Sequence, residues 1–469
     1  MRRSIGAVRI YFMCLRLFVL LLFVASGLIA AERPPNLLLM YVDNVGFGDF
    51  GCCGNAEVRT PHVDKLSAEG VKCTDFYVVT SSCTPSRGAL LTGRHPGRNG
   101  LAHQLGSEEN WYGIGLPHRE RILPQYLKEA GYATGCFGKW NIGFAAGSRP
   151  TERGFDDFFG FRSGNIHYFK HTYHGEYDMF LGTEKHPVKG YSGDLFAQAT
   201  CDFIARNKDR PWFAYVPFNA PHYVSSINMT DGEKPQWQAP DAAFAAYGWS
   251  RDDPIEKHRY LAVLTAMDSN IGQILQQLDQ LSLRDNTVVM LISDMGAIFR
   301  PNCGLGVASN GVYRDAAPTL YEGGVRVPAI FRWPGKIPVG STSNALLSHL
   351  DVLPLCLAAA GIAVPTDRVI DGKNPLPALS GKDGSPHERM FFSYGTASAV
   401  REGQLKLLRS ASNKPWELYD LATDPSEAKN LATVRAEETA VLAKRIADWQ
   451  ASLATDASTP ERYKPATSK

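Results

Sequence analysis

Residues 83–94 read Cys-Thr-Pro-Ser-Arg-Gly-Ala-Leu-Leu-Thr-Gly-Arg, and they carry the strongest chemical signal in this 469-residue chain. Taken alone, a cysteine close to a proline and an arginine fits a buried thiol with a cation nearby. The helix-forming run behind it predicts a helix that begins at Cys83. A helix start presents N–H groups that lack partners within the helix, so a side chain there suits an anion.

Outward from this string, short β-type runs alternate with helix-length segments, which predicts a mainly parallel α/β sheet. Residues 36–42 (NLLLMYV) form a continuous apolar run, as expected of a strand buried on both faces. Residues 133–137, 212–218 (WFAYVPF) and 287–293 (TVVMLIS) read the same way. A polar residue follows each run: Asp43, Lys139, His222 and Asp294. Open α/β sheets bind ligands beyond the carboxyl ends of their strands, so these four are expected at one site. Helices are expected over 61–69, 123–130, 194–207 and 257–281.

The region 366–385, rich in Pro, Gly and Lys, is expected to divide a main domain (32–385) from a C-terminal subdomain (386–469). Strands are expected there over 391–394, 399–408 and 416–421. Leu442, Ile446, Trp449 and Leu453 form an apolar stripe at helical spacing, which predicts a helix packed on that small sheet.

The twelve-residue string resembles the signature of the sulfatase family, in which this cysteine is oxidised to formylglycine. Similar blocks run along most of the chain: NLLLMYVDNVGFGD at 36–49, RTPHVDKLSAEGV at 59–71, GYATGCFGKWNIG at 131–143, RPWFAYVPFNAPH at 210–222, LISDMG at 291–296, YEGGVRVPAIFRWPG at 321–335 and WELYDLATDPSEAKNLA at 416–432. The resemblance implies an alkaline phosphatase-like α/β fold, its mainly parallel sheet sandwiched by helices. It also implies hydrolysis of a sulfate ester, on a carbohydrate or an aryl group, by hydrated formylglycine made from Cys83. A divalent cation, usually calcium, would hold the nucleophile and a sulfate oxygen. By position, Asp43, Asn44, Asp294 and the modified Cys83 would be the metal shell. Arg87 would orient the formylglycine, Lys139 would contact the sulfate, and His222 would lie near the bridging oxygen. Maturation implies a formylglycine-generating enzyme as partner, and the substrate partner would be a sulfated small molecule or glycan.

Four positions depart from the family pattern. Asn44 stands where a second carboxylate is usual, and Met295 where Asn or His follows the second metal aspartate. A thioether is a poor ligand for a hard cation, so weaker calcium binding is expected. Asn141 replaces a histidine, and Ala317 falls on the family's second sulfate-binding lysine. Losing one preorganised donor from a charge-stabilising site typically lowers turnover by about a hundred- to a thousand-fold. Arg300 or Arg314 is a candidate for the missing positive charge. Three readings therefore stand: a sulfatase with altered contacts, a weakened or inactive relative that binds a sulfated ligand, and a phosphoester or phosphonate hydrolase.

At the N-terminus, Arg2, Arg3, Arg9 and Arg16 precede an apolar stretch over 17–31, the pattern of a secretory signal peptide and too short for a comfortable membrane span. The expected location is therefore periplasmic or secreted. A formal net charge of +2, with no basic cluster beyond the first residues, sets nucleic acid aside as a partner. Nine cysteines without C-x-x-C spacing do not form a disulfide framework, although Cys52 and Cys53 are adjacent. The loop 145–190 is rich in aromatic and histidine residues (His167, Tyr168, His171, Tyr173, His174) and is expected to wall the pocket.

Overall fold

The apolar run at 36–42 forms the strand Asn36–Val42 at the middle of the molecule, with every residue buried. The computed structural model describes residues 33–106, 113–229, 236–299, 306–459 and 461–462, so the expected signal segment and Arg300 lie outside the described residues. The described residues from Pro35 onward pack as one compact unit.

The ten strands of the central sheet are, in chain order, β1 (Asn36–Val42), β2 (Val71–Cys73), β3 (Ala133–Lys139), β4 (Asp157–Phe161) and β5 (Phe180–Leu181). They continue with β6 (Glu184–Lys185), β7 (Trp212–Pro217), β8 (Thr287–Ser293), β9 (Ala329–Arg332) and β10 (Ser341–Ser343). Across the sheet the order is β6-β5-β4-β3-β7-β1-β8-β9-β2-β10. The central run β4-β3-β7-β1-β8 is parallel throughout. Antiparallel pairs appear toward the edges, at β8–β9, β9–β2, β4–β5 and β5–β6. All of β1, β3, β7 and β8 is buried, which explains the long apolar runs of β1, β7 and β8.

Two groups of helices flank the sheet. One contains α1 (Pro61–Ala68), α3 (Ser192–Arg206) and α4 (Glu256–Gln280), with α3 packed on both α4 and β3. The other contains α2 (Cys83–Thr92), which packs against the helices Leu123–Glu129 and Val352–Ala359. Helix α2 begins at Cys83, as its sequence predicts, after the extended Ser82. It ends at Gly93, which is left-handed (φ 65°) and donates to Ala89 O at 2.9 Å. A side chain at Gly93 would meet Leu353 and Ile370 as well as backbone strain, so glycine suits this stop.

The C-terminal sheet is antiparallel in the order β11 (Arg389–Tyr394), β12 (Ala397–Glu402), β13 (Leu405–Arg409), β14 (Glu417–Asp420). Helix α5 (Ala436–Leu453) lies on it, with Leu442 and Ile446 in a small core beside Val400, Leu407 and Leu418. Trp449 stacks on Phe391 with ring centroids 4.9 Å apart. Of the expected stripe, Leu442 and Ile446 are core, whereas Trp449 and Leu453 are half-buried. The seven cysteines among the described residues are all free. Among the described residues, no helix is long and apolar enough to cross a membrane.

Candidate active site

The parallel strands end together, and their ends bring Asp43, Lys139 and Asp294 to one place. Asp43 and Asp294 are pinned by backbone bonds on either side of β1: Asp43 N donates to Ala220 O (3.1 Å) and Asp294 N to Val42 O (2.9 Å). Arg87, one turn into α2, is wholly buried. Its Nη2 donates to Asp294 Oδ2 at 2.8 Å and lies 3.5 Å from Asp43 Oδ2, while Nη1 donates to Lys139 O at 3.2 Å. Lys139 Nζ donates to Asp43 Oδ2. Two carboxylates thus face two cations, all four side chains wholly buried. Burial and the nearby Asp43 push Asp294 up to about 6 despite Arg87 and Lys139.

Cys83 sits above this quartet, with its thiol 3.5 Å from Asp43 Oδ1. Burial first, and then Asp43, raise its pKa well above the ordinary thiol value. As a free cysteine it is therefore held as an inert thiol, not as a thiolate nucleophile. The start of α2 is also less open than the sequence suggests. Gln104 Oε1 accepts from Thr84 N (3.0 Å) and Ser82 Oγ (2.9 Å), and Ser86 N donates to Ser82 O (3.0 Å). Positive potential in the site therefore rests on Arg87 and Lys139, with these N–H groups already occupied.

His222 completes the floor. Its Nδ1 lies 2.7 Å from Tyr223 O, a carbonyl that can only accept, so Nδ1 carries the proton and Nε2 offers a lone pair. Burial, with Lys139 nearby, pushes the ring down to about 3, so it is neutral. Tyr168 Oη fixes the loop by donating to His222 O (2.8 Å) and Asn219 O (3.0 Å). One ligand atom each from Asp43, Cys83 and His222 fall within 4.8 Å of one another, a spacing that could hold a metal ion. Asn44 adds an amide whose two polar atoms are buried without a partner, although its backbone N donates to Asp294 Oδ1 (3.0 Å). Asp43 and the orphaned Asn44 amide offer oxygen donors of the kind a hard divalent cation takes, but the expected ligand Asp294 lies outside the group of Asp43, Cys83 and His222, its Oδ1 accepting from Asn44 N and its Oδ2 from Arg87.

A cavity of about 280 Å³ opens over Cys83 and His222. Met295, Ile298 and Ala317 line one wall, held together by the bond from Ala317 N to Ala297 O (3.1 Å). Of the expected aromatic loop, Tyr173 reaches the cavity. Tyr168 is packed beneath it, and His167 and His171 bond to Gln238 and Gly190 O. Arg314 does not supply the missing positive charge. Its guanidinium stacks on Tyr321 and bonds Tyr419 Oη and Glu427 O. The aromatic and carbonyl partners on the C-terminal side draw it away from the cavity.

Several lining residues carried no sequence signal, Gln104, Tyr223 and Tyr394 among them. Gln104 and Tyr223 lie on loops, and Tyr394 comes from β11, placed by the bond from Ser393 N to Val79 O (3.1 Å). Conversely, Arg94 at the end of the twelve-residue string is structural: it pairs with Glu120 (2.9 Å) and Asp456 (2.7 Å).

With this geometry in hand, similarities to known proteins can be placed. A family profile described as Sulfatase matches residues 35–362, and another, described as N-sulphoglucosamine sulphohydrolase, C-terminal, matches residues 316–452. The chain is 34% identical over 449 residues to N-acetylgalactosamine-6-sulfatase of Canis lupus familiaris, covering 89% of this chain and 80% of that protein. It is 32% identical to steryl-sulfatase of Rattus norvegicus, covering 77% and 74%. Among solved structures, Ps i-CgsB in complex with k-i-k-neocarrahexaose superposes with a TM-score of 0.81 at 26% identity, covering 93% of this chain and 96% of that one.

Proposed function

The chain belongs to the sulfatase family of sulfuric ester hydrolases, and on that premise we propose that it cleaves a sulfate ester of a carbohydrate or aryl group through a formylglycine made from Cys83. The observation that carries this reading is the placement of Cys83: at a helix start, on the floor of a cavity, above Asp43, Arg87, Lys139 and Asp294. When formed, formylglycine supplies an oxygen nucleophile for sulfur. A calcium ion would be held by Asp43, Asn44, Asp294 and the Cys83 side chain, and would supply a Lewis acid for a sulfate oxygen.

The remaining roles belong to the chain itself. Lys139 Nζ, bonded to Asp43, is the cation placed to meet the non-bridging oxygens of the ester. Arg87 lies behind Cys83 and offsets charge that develops on its side chain. His222 presents Nε2 toward Cys83, and the negative charge of a bound ester opposes the shift that keeps the ring neutral. That combination suits proton exchange at the bridging oxygen. The basic and apolar N-terminal stretch supports 1–31 as a signal peptide and export to the periplasm or outside the cell. Maturation would then require a formylglycine-generating enzyme. The body 32–385 and the subdomain 386–469 are the proposed domains.

The test is release of free sulfate from a panel of aryl sulfates and sulfated sugars. The protein would be co-produced with a formylglycine-generating enzyme, its conversion at Cys83 confirmed by mass, with calcium present and Cys83→Ala as control. Release that vanishes in Cys83→Ala is expected. Modified protein that releases no sulfate would transfer support to a binding protein of this fold, the reading favoured by Asn44, Asn141, Met295 and Ala317. A preference for phosphate esters would instead favour the phosphoester or phosphonate reading.

A further inference from the structure

Of the seven cysteines among the described residues, five are buried: Cys73, Cys83, Cys136, Cys201 and Cys356. Burial raises the pKa of each, so none of them offers a thiolate. Cys52 and Cys53 differ. They are half-exposed neighbours in the turn Gly51–Cys53, with their sulfur atoms 4.0 Å apart. The turn ends at the exposed Gly54 (φ 103°), where an added Cβ would meet nothing within 4 Å. One side of the pair is therefore open to a reagent from solution.

The surroundings set the two thiols apart. Cys52 is clamped through its backbone: its N donates to Asp64 Oδ1 (2.7 Å) and its O accepts from Lys72 Nζ (2.6 Å). A hydrogen bond from the Cys52 thiol, helped by the Lys72 ammonium, lowers the pKa of Cys53 despite its burial. The same bond, and then burial, raise Cys52. Cys53 is therefore the attacking sulfur and Cys52 the resolving one. An accessible thiol of lowered pKa beside a second thiol is the arrangement of a redox-active pair.

We propose that Cys52 and Cys53 are a site of reversible oxidation, closing to a vicinal disulfide by exchange with a low-molecular-weight disulfide, RSSR. The Cys53 thiolate attacks one sulfur of RSSR; the S–S bond breaks, and one RS⁻ leaves and takes up the proton that Cys53 had shed. Cys52 then loses its proton, and its sulfur attacks Cys53 Sγ. The mixed disulfide breaks, and the second RS⁻ takes up that proton. The dithiol gives two electrons and two protons, and RSSR is reduced to two RSH. Closure brings the sulfurs from 4.0 Å to about 2.05 Å. Adjacent Cα atoms lie about 3.8 Å apart, closer than the roughly 4.4–6.8 Å of an ordinary disulfide. The closed ring is therefore strained, and a dithiol reductant reopens it. The inference goes beyond the sulfatase reading and stands apart from it, since it uses neither Cys83 nor any group that lines the cavity.

The experiment treats the folded, reduced full-length chain with oxidised glutathione, alkylates the remaining thiols and maps peptide masses. The peptide carrying Cys52 and Cys53 is expected to lose two hydrogens, to retain no glutathione and to regain the hydrogens in dithiothreitol. Cys52→Ser is expected to hold one glutathione on Cys53, and Cys53→Ser to react at least about tenfold more slowly. A stable glutathione adduct on the unsubstituted chain overturns the inference. So does an unchanged pair, or a bridge from either residue to another cysteine, Cys303 included. Should a variant fail to fold, the masses of the unsubstituted chain decide.

Discussion

Two clusters of buried charge among the described residues differ in their surroundings, and the one around Cys83 borders a cavity. Around Cys83, Asp43 and Asp294 face Arg87 and Lys139. Between the main sheet and the C-terminal sheet, Asp75, Glu322 and Glu427 face Arg326, Arg401 and Lys406, with pair distances of 2.6 to 3.2 Å. Both clusters are charge-balanced and largely dehydrated. The difference lies in what is left over. Beside the first, the amides of Asn44 and Asn141 have no partner and an open cavity lies above. In the second, the surplus bonds are internal, as when Tyr77 Oη donates to Glu322 Oε2 at 2.6 Å. Buried ion pairs alone therefore do not mark chemistry. Unfilled valence next to accessible space does.

The sharpest way to break this contrast is at Lys406, which serves both Glu322 and Glu427. Lys406→Met leaves two carboxylates buried without their cation and is expected to destabilise the fold by about 3–5 kcal/mol, read by denaturant unfolding. Turnover per folded molecule should stay within about twofold, because this cluster touches no substrate. A large loss of turnover in folded protein would mean that the two clusters are coupled.

Lys139→Met tests the other side. Turnover of sulfate ester should fall by about a hundred- to a thousand-fold in steady-state assays of the folded protein. An unchanged rate would remove Lys139 from the machinery.

A smaller effect is expected at the metal shell. Asn44→Asp adds a carboxylate to the donor set and should tighten calcium binding by about tenfold, or 1.4 kcal/mol, measured by titration calorimetry. Unchanged affinity would show that Asn44 Oδ1 does not face the ion.

A further expectation concerns pH. His349 is buried and pushed down to about 3; its Nε2 accepts from Val79 N (3.2 Å), on the segment leading to Cys83. A ring whose folded pKa is depressed stabilises the fold above its unfolded value and loses that contribution as pH falls. Stability should therefore decline from about pH 6.5 downward, by up to about 1.4 kcal/mol per unit for this group. His349→Gln should flatten the decline in thermal unfolding scans between pH 7 and 5. An equally steep decline in the variant would assign it to other groups.

Much of the architecture was legible because buried parallel strands write themselves as unbroken apolar runs. Asn36–Val42 and Thr287–Ser293 match their predicted strands. The strand from Ala133 runs on to Lys139, since glycine and lysine at a strand end carry no apolar signal. Asp43, Lys139, His222 and Asp294 were legible as polar residues placed just after such runs, whereas Cys83 and Arg87 were legible through the twelve-residue string and its family resemblance. The pocket wall did not. Gln104, Tyr223 and Tyr394 are ordinary loop and edge residues whose spacing carries no period, and Tyr394 arrives from more than 300 positions beyond Cys83.

The sequence by itself determined the sheet, the helix that opens at Cys83 and the set of groups that meet at the strand ends. Periodicity and strand-end chemistry are local properties of the chain. Tertiary structure alone decided which way those groups point. It turned Arg314 toward Tyr419 and made Arg94 a staple. It closed the α2 start with Gln104 and brought Tyr223 and Tyr394 to the cavity. Such outcomes depend on distant backbone brought within about 3 Å, the reach of a hydrogen bond, and no local pattern encodes them.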